Sequence, residues 1–292
     1  MDNSDSSFES YTDILTTQLA SSIFQTIAIL ADLVRSSEKQ YSGSHSQFVG
    51  EKSEAVARYL GCTEGECFEI KTAGMLHDIG KIGFPDHLMA KLPFELATED
   101  FRYYMSHIDE GYRILSMHDG LSSIANIVKQ HHERLDGSGF PNRLRGDEIL
   151  LGAKIISVVD YYHNSMFRLQ REKSSGTSGQ ITSTATYLSS TQPRYAQTMN
   201  YLHQKAGAHY SVSVVDAFTG VIEAERRELG ERTIMRLAVN QVKPGMMFAS
   251  DYSTSYGLLI AARGEPITGA AINRLISLAE IGEIPSKILV MK

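Results

Sequence analysis

The sequence predicts a mainly α-helical protein: a multi-helix metal-binding domain with a small C-terminal α+β unit. Three observations support this fold class. Apolar side chains within residues 11–36 recur three and four positions apart, which is typical of an amphipathic helix. Histidines and aspartates that suit a divalent metal recur between His45 and Asp160. From about Arg232 onward, short strand-like runs are separated by glycine-containing turns.

Composition and charge describe an ordinary globular chain and narrow the functional classes. The 292 residues include 42% hydrophobic and 21% charged side chains, enough to bury a large helical core. A net charge of -6 argues against DNA or RNA held by general electrostatics. Cys62 and Cys67 alone have poor spacing for zinc, which predicts reduced thiols in the cytoplasm. Residues 1–10 do not resemble a secretory signal, and the apolar stretch 23–34 is too short to span a membrane.

The first predicted element, residues 1–35, is an N-terminal helix with two interpretations. It is a connector or dimer helix if its apolar face meets a second protein surface. It is a core helix if that face packs on the domain that follows. The periodicity of the apolar residues does not choose between them.

The next predicted helices each deliver one or two metal-binding side chains. These helices are residues 45–61 with His45, 66–77 with His77 and Asp78, 99–117 with His107, 121–135 with His131 and His132, and 151–162 with Asp160. The last helix is strongly apolar, so it would bury the Asp160 carboxylate. Because an unpaired buried carboxylate is costly, we expect a metal or a strong donor beside it.

The chemistry of this set predicts two metal ions. Imidazole and carboxylate ligands together suit iron, manganese, nickel or zinc. Neighbouring residues on a helix point about 100° apart, so the adjacent pairs His77–Asp78 and His131–His132 fit two metals more naturally than one. Asp78 would then bridge the two ions. The alternative is a set of unrelated surface or core histidines, but the ordered run of ligand pairs favours metal binding.

Two metals and a nearby lysine predict a phosphohydrolase. Paired metals polarise a phosphoryl group and generate a hydroxide nucleophile near neutral pH. Lys81 lies three residues after Asp78 and, on a helix, would share its face. There it would meet a phosphate oxygen as a point charge.

Three stretches resemble the HD-GYP family of metal-dependent phosphohydrolases: HDIGKIGFPD, SHIDEGYRIL and IVKQHHERLDGSGFPNRLRGDEILLGAKIISVVD. The similarity covers about residues 36–230. It implies a phosphodiesterase that hydrolyses cyclic di-GMP to pGpG, or onward to GMP, through attack by a hydroxide bridging two metals, most often iron or manganese. It implies catalytic roles for Asp78 and Lys81. The metal ligands implied by the resemblance are His45, His77, Asp78, His107, His131, His132 and Asp160.

The chain also departs from the family pattern. A third metal, bound in some members by a glutamate four residues before the first histidine, is not expected, because that position is Tyr41. The signature tyrosine is Phe140, which keeps the ring and loses the hydroxyl. After Asp160 the usual D-x-x-D-A-L-T-x-x-R-P-Y-R is missing, and Arg168 or Arg171 could replace its arginine. The predicted substrate-contacting residues are Lys81, Gly137, Gly139, Phe140, Pro141 and Arg168.

The remaining sequence predicts accessory elements. Residues 173–192, rich in Ser, Thr and Gly, read as a flexible insertion in the 36–230 domain. Closing helices follow at 188–207 and 212–227, and residues 231–292 form the small α+β accessory domain. Expected partners are cyclic di-GMP and signalling proteins such as the GGDEF type, with a homodimer left open. The alternatives are a weakened module that binds metal or nucleotide and signals through protein contacts, and a phosphohydrolase for another nucleotide.

Overall fold

The computed structural model describes residues 5–38, 44–89, 91, 95–167, 184–230, 234–250, 252–253, 259–261 and 264–291. The chain divides into two units, and the boundary between their larger parts lies at Phe218–Thr219. The first is helical and the second, from Thr219 onward, combines strands and helices. The predicted fold class, mainly α with a small C-terminal α+β unit, is confirmed.

The helices of the first unit follow one another along the chain. They are α1 (Asp5–Ser37), α2 (His45–Tyr59), α3 (Glu64–Leu76), α4 (Asp86–Met89), α5 (Thr98–Met105), α6 (His107–Leu115), α7 (Ser122–Gln130), α8 (Leu151–Phe167) and α9 (Thr184–Lys205), and α10 (Val212–Gly230) crosses the boundary between the units. A 3₁₀ turn at Ile79–Lys81 follows α3. Among the described helices, none is long and apolar enough to cross a membrane.

Helices α2 and α3 pack closely because glycines face each other at their crossing. A Cβ on Gly74 would lie 2.9 Å from the Gly50 Cα atom, closer than real side chains allow. Thr63 starts α3 with a capping box, in which its side chain accepts a hydrogen bond from the Glu66 amide and the Glu66 side chain accepts one from the Thr63 amide. The start of α2 and the end of α3 can therefore meet at one place.

Helix α1 packs on the first unit through one side. Ile27 and Val34 are buried, and the Phe24 ring meets the Phe68 ring of α3 edge-on at a centroid distance of 5.2 Å. Ile29 and Leu33 are exposed. Part of the helix therefore has the core role that periodicity left open, while the connector or dimer role stays a prediction.

The second unit contains a three-stranded antiparallel sheet of order β1-β5-β2 and a separate hairpin of β3 and β4. The strands are β1 (Ile234–Ala238), β2 (Met247–Phe248), β3 (Tyr252–Ser253), β4 (Leu259–Ala261) and β5 (Lys287–Met291), and Thr268 caps α11 (Gly269–Glu280). Phe248, Ile267, Leu275 and Ile288 are buried in its core.

Two predicted boundaries differ from the structure. In the predicted insertion 173–192, residues 184–192 are helical, since α9 begins at Thr184, and residues 173–183 lie outside the described residues. Ser and Thr lower helix propensity by only a few tenths of a kcal/mol each, so their abundance does not exclude a helix. The predicted domain boundary at 231 follows the point in the sequence where strand-like runs begin. The structural boundary falls inside α10.

Candidate metal centre

The predicted metal-binding side chains converge in the first unit, and all of them except Asp160 lie at or just after a helix end. His45 is the first residue of α2, His107 is the first residue of α6, and Asp160 lies within α8. The other four follow helix ends, His77 and Asp78 after α3 and His131 and His132 after α7. The histidines in the cluster are almost fully buried except His132, which is partly buried.

The ligand atoms form two groups. One contains His45, His77 and Asp78 and the other His107, His131 and His132, and the donor atoms within each group lie within 4.8 Å of one another. The Asp160 Oδ1 atom adds to the first group, at 3.2 Å from His45 Nε2 and 3.6 Å from His77 Nε2.

Asp78 connects the two groups. Its Oδ1 atom lies 3.5 Å from His77 Nε2 in the first group and 3.7 Å from His107 Nε2 in the second. The same oxygen is buried, and no described residue gives it a hydrogen bond. This is the location that a bridging carboxylate requires.

The expectation that adjacent ligands diverge is wrong for this chain. His77 and Asp78 belong to one group, and so do His131 and His132. The reason is that both pairs leave the helix. Helix α3 ends at Leu76 and Asp78 has φ -99° and ψ 11°, while α7 ends at Gln130. The 100° rotation between neighbours applies only inside a helix.

Backbone carbonyls orient three of the histidines. The Nδ1 atoms of His77, His107 and His131 lie 2.8, 2.7 and 2.5 Å from the carbonyl oxygens of Gly74, Tyr104 and Val128, each three residues earlier. With Nδ1–H donating to the carbonyl, Nε2 carries the lone pair that a metal needs.

The cluster fits a cation. Among the described residues, the Nε2 atoms of His107 and His131 are buried and find no hydrogen-bond partner, and the same holds for Asp78 Oδ1. An unsatisfied buried acceptor costs about 1–3 kcal/mol, so three of them side by side are difficult to explain in a purely structural cluster. Nitrogen and oxygen donors in this mixture match a transition metal rather than calcium.

Burial and neighbouring charges set the protonation of the cluster. Burial lowers the pKa of His131 to about 4, helped by the positive charge on His77. Burial also lowers the pKa of His77, but Asp78 and Asp160 outweigh it and raise the value to about 9. His131 is therefore neutral at pH 7, the form that binds metal, whereas His77 must lose a proton when a metal binds.

Lys81 lies beside the cluster. Its Nζ atom donates a hydrogen bond to Asp78 Oδ2 at 2.7 Å and sits 4.8 Å from the centroid of the Tyr104 ring. Burial opposes the charge of each partner, yet Asp78 raises the pKa of Lys81, and the charges of His77 and Lys81 hold the pKa of Asp78 well below its usual range. Both groups are charged at neutral pH.

The glycine-rich loop at 136–141 is anchored to the metal ligands by Glu133, a residue that the sequence analysis passed over. The Glu133 carboxylate accepts hydrogen bonds from the amides of Asn142 and Leu144, at 2.6 and 3.0 Å. The Phe140 amide donates to the His132 carbonyl at 3.1 Å. The position of Glu133 directly after the histidine pair was the signal in the sequence that could have revealed its role.

The predicted substrate-contacting residues of this loop have distinct roles in its shape. A Cβ on Gly139 would lie 2.4 Å from the Arg134 amide nitrogen, and Gly137 has φ +77°. Both positions therefore favour glycine. Phe140 is 41% exposed, so its ring is available to a ligand, and Pro141 follows it. Arg168 lies outside the described residues.

Two further buried residues were missed by sequence reasoning. The His163 Nδ1 atom lies 2.9 Å from His45 Nδ1. The Glu38 Oε1 atom accepts a hydrogen bond from the Ser46 amide at 2.7 Å, while its Oε2 atom is buried without a partner. Only the spacing of His163, one helical turn after Asp160, was a signal in the sequence.

Comparisons with known proteins identify a family and several relatives. The HD domain family model matches residues 28–214. The chain is 37% identical over 142 residues to a cyclic di-GMP phosphodiesterase of Thermotoga maritima, covering 48% of this chain and 38% of that protein. It is 36% identical over 135 residues to 3′3′-cGAMP-specific phosphodiesterase 2 of Vibrio cholerae, covering 46% and 26%.

The chain belongs to the HD domain family. The identification of an HD-GYP type from the motifs around His77 and His131 is confirmed, and one relative is the cyclic di-GMP phosphodiesterase response regulator RpfG of Xanthomonas campestris, at 39% identity over 109 residues, 37% of this chain and 29% of that protein. The chain spans well under half the length of these relatives.

Proposed function

We propose that this chain is a metal-dependent phosphodiesterase that hydrolyses cyclic di-GMP to pGpG, to GMP or to both. One observation carries the proposal: two groups of buried His and Asp donors face each other across Asp78, with the Lys81 ammonium beside them. Nitrogen and oxygen donors in two such groups are what a two-metal phosphoryl-transfer centre requires. The relatives named as cyclic dinucleotide phosphodiesterases support the substrate class.

The residues divide between two metal positions, which we expect to hold iron or manganese. One ion would be held by His45, His77 and Asp160. The other would be held by His107, His131 and His132, and Asp78 would be a ligand of both ions. When bound, the metals would supply a nucleophile at neutral pH and neutralise charge on the phosphoryl oxygens.

The protein's own groups would position the substrate. Lys81 already carries its charge beside Asp78, so its ammonium can contact a non-bridging phosphate oxygen. The exposed Phe140 ring offers a stacking surface for a guanine base. Glu133 holds the backbone of this loop in place, which limits the freedom that substrate binding would otherwise have to remove.

The test is to purify the protein with manganese or iron, measure bound metal by mass spectrometry and follow cyclic di-GMP by chromatography. We expect roughly two metals per chain together with turnover. The Asp78→Ala variant should lose both turnover and part of the metal. The exposed Asp109→Ala on α6 is a matched control and should keep both.

Other results would change the proposal. Metal binding without turnover of any cyclic dinucleotide favours the module that signals through protein contacts. Turnover of 3′3′-cGAMP in preference to cyclic di-GMP would keep the reaction and change the substrate, as the names of the Vibrio cholerae relatives allow. The cytoplasmic location, a homodimer and contacts with GGDEF-type proteins stay predictions.

A further inference from the structure

His45 differs from His77, His107 and His131 in how its ring is held. His77, His107 and His131 each direct Nδ1 at a carbonyl three residues earlier. His45 is the first residue of α2. Its Nδ1 atom instead faces another imidazole, 2.9 Å from His163 Nδ1.

Two imidazole nitrogens at 2.9 Å share one proton, because one must donate and the other accept. The direction of this bond determines what the opposite nitrogen of His45 can do. If His45 Nδ1 donates, its Nε2 atom has a free lone pair. If His163 Nδ1 donates, His45 Nε2 carries the proton and can only donate, for example to Asp160 Oδ1 at 3.2 Å.

The surroundings of His45 Nε2 favour the first direction in the metal-loaded protein. This atom faces the cluster, 3.2 Å from His77 Nε2 and 3.9 Å from Asp78 Oδ2. Metal coordination there requires the lone pair, so the proton must be on Nδ1 and His163 Nδ1 must accept it. His163 is itself 4% exposed and packed against the Phe48 ring, at a centroid distance of 4.7 Å, which fixes its position.

We propose that His163 is a positioning residue for the first metal, one that accepts the His45 Nδ1–H bond and holds His45 in the tautomer that presents Nε2 to the ion. This inference rests on the metal centre of the proposed function. His163 has no contact with substrate in the proposal. It acts only through the ring of His45.

The experiment compares an acceptor with an apolar residue at position 163. In His163→Asn the side-chain oxygen can take the place of Nδ1, whereas His163→Leu removes the acceptor at similar size. Cobalt(II) is titrated into metal-free protein, with the visible absorption of the bound ion as the signal. We expect the Leu variant to lose about 10–100-fold in affinity at one of the two sites, and the Asn variant to regain most of it. His203→Leu, an exposed histidine on α9, is the control.

A second measurement does not depend on the folding of the Leu variant. In zinc-loaded wild-type protein, ¹⁵N shifts of the His45 ring should report a protonated Nδ1 and a coordinated Nε2. A proton on His45 Nε2 overturns the inference. Equal cobalt affinity in the wild type and the Leu variant, or equal losses in Leu and Asn, also overturn it while leaving the metal centre intact. Failure of the wild type to bind cobalt instead overturns the metal centre.

Discussion

Lys81 and Asp78 form a buried ion pair next to the ligand groups, and its two members should affect activity differently. Replacing Lys81 by Met removes the cation and no proposed metal ligand. We therefore expect metal content to stay near the wild-type value while kcat/KM for cyclic di-GMP falls about 10²–10³-fold, the usual cost of a lost charge-stabilising donor. Steady-state kinetics and metal analysis of the same sample check this.

The matched control is Lys243→Met, an exposed lysine in the second unit, which should retain full activity. A Lys81→Met protein that turns over substrate at the wild-type rate would contradict the assigned role. Loss of metal together with activity would instead show that Lys81 matters chiefly for keeping Asp78 in place.

Glu38 predicts a pH dependence of stability. Burial raises its pKa from 4.5 to about 7, so the folded state holds this proton more tightly than the unfolded chain. The contribution of Glu38 to the unfolding free energy is therefore complete below about pH 4.5 and is lost as the pH rises through 7. Relative to Glu38→Gln, the wild type should lose up to about 3 kcal/mol of unfolding free energy between pH 5 and 8.

Denaturant unfolding of metal-free protein at several pH values measures this difference. The Glu38→Gln side chain can still accept the Ser46 amide bond, so the comparison isolates the charge. The exposed Glu99→Gln should follow the wild-type curve. Parallel curves for the wild type and Glu38→Gln would disprove the prediction.

At this scale the sequence pointed to the proposed ligands more clearly than to the residues that support them. His45 to Asp160 could be recognised because imidazole and carboxylate carry their chemistry wherever the fold puts them. Glu133 and His163 could not, because their roles depend on which backbone amide or ring nitrogen lies opposite. Those partners are set by the path of the chain and not by residue type.

Helix ends are the elements that position the cluster. The periodicity of the sequence located the helices that carry His77 and His131 but not their last residues. Each pair begins one residue after its helix ends, so the predicted divergence of neighbouring side chains failed there. Local backbone at a helix exit depends on tertiary contacts, which a single sequence does not encode in a readable pattern.

The 3₁₀ turn after α3 makes one such tertiary contact, with α6, and this contact yields a prediction. A Cβ on Gly80 would lie 2.1 Å from the His107 carbonyl oxygen and 2.7 Å from the Gly111 amide, both backbone atoms of α6. Gly80→Ala must therefore push α6, and His107 with it, away from Asp78. We expect a loss of about 1–3 kcal/mol in unfolding free energy together with weaker metal binding.

Gly65→Ala is the control for this substitution. Nothing lies within 4 Å of a Cβ at Gly65, in the first turn of α3, so the change should leave metal binding intact and stabilise the helix slightly. Denaturant melts and metal titrations of both variants provide the comparison. Wild-type metal affinity in Gly80→Ala would show that the turn does not set the position of His107.

For the molecule as a whole, metal binding should increase the free energy of unfolding. The proposed ligands are drawn from across the first unit, and an unfolded chain cannot present them together. Free metal at 100 times its dissociation constant should therefore add about 2.7 kcal/mol to the unfolding free energy for each independent site. Thermal unfolding with added manganese, reversed by a chelator, measures the effect, and Asp78→Ala should respond less.

The overall architecture was largely predictable, and its boundaries were not. The strand-like runs predicted after Arg232 correspond to strands of the second unit, because alternation and turn residues are local signals. The division between units falls inside α10, where no composition shift marks it. Packing decides that boundary, and packing is a property of residues distant in sequence.

The order of the ligands along the chain has a consequence for synthesis. His45 leaves the ribosome 115 residues before Asp160, its neighbour at 3.2 Å, which lies in α8. A nascent chain cannot assemble the first group until that helix has emerged and docked. Cofactor acquisition would then be a late event in biogenesis, so that truncated products remain unloaded and inert.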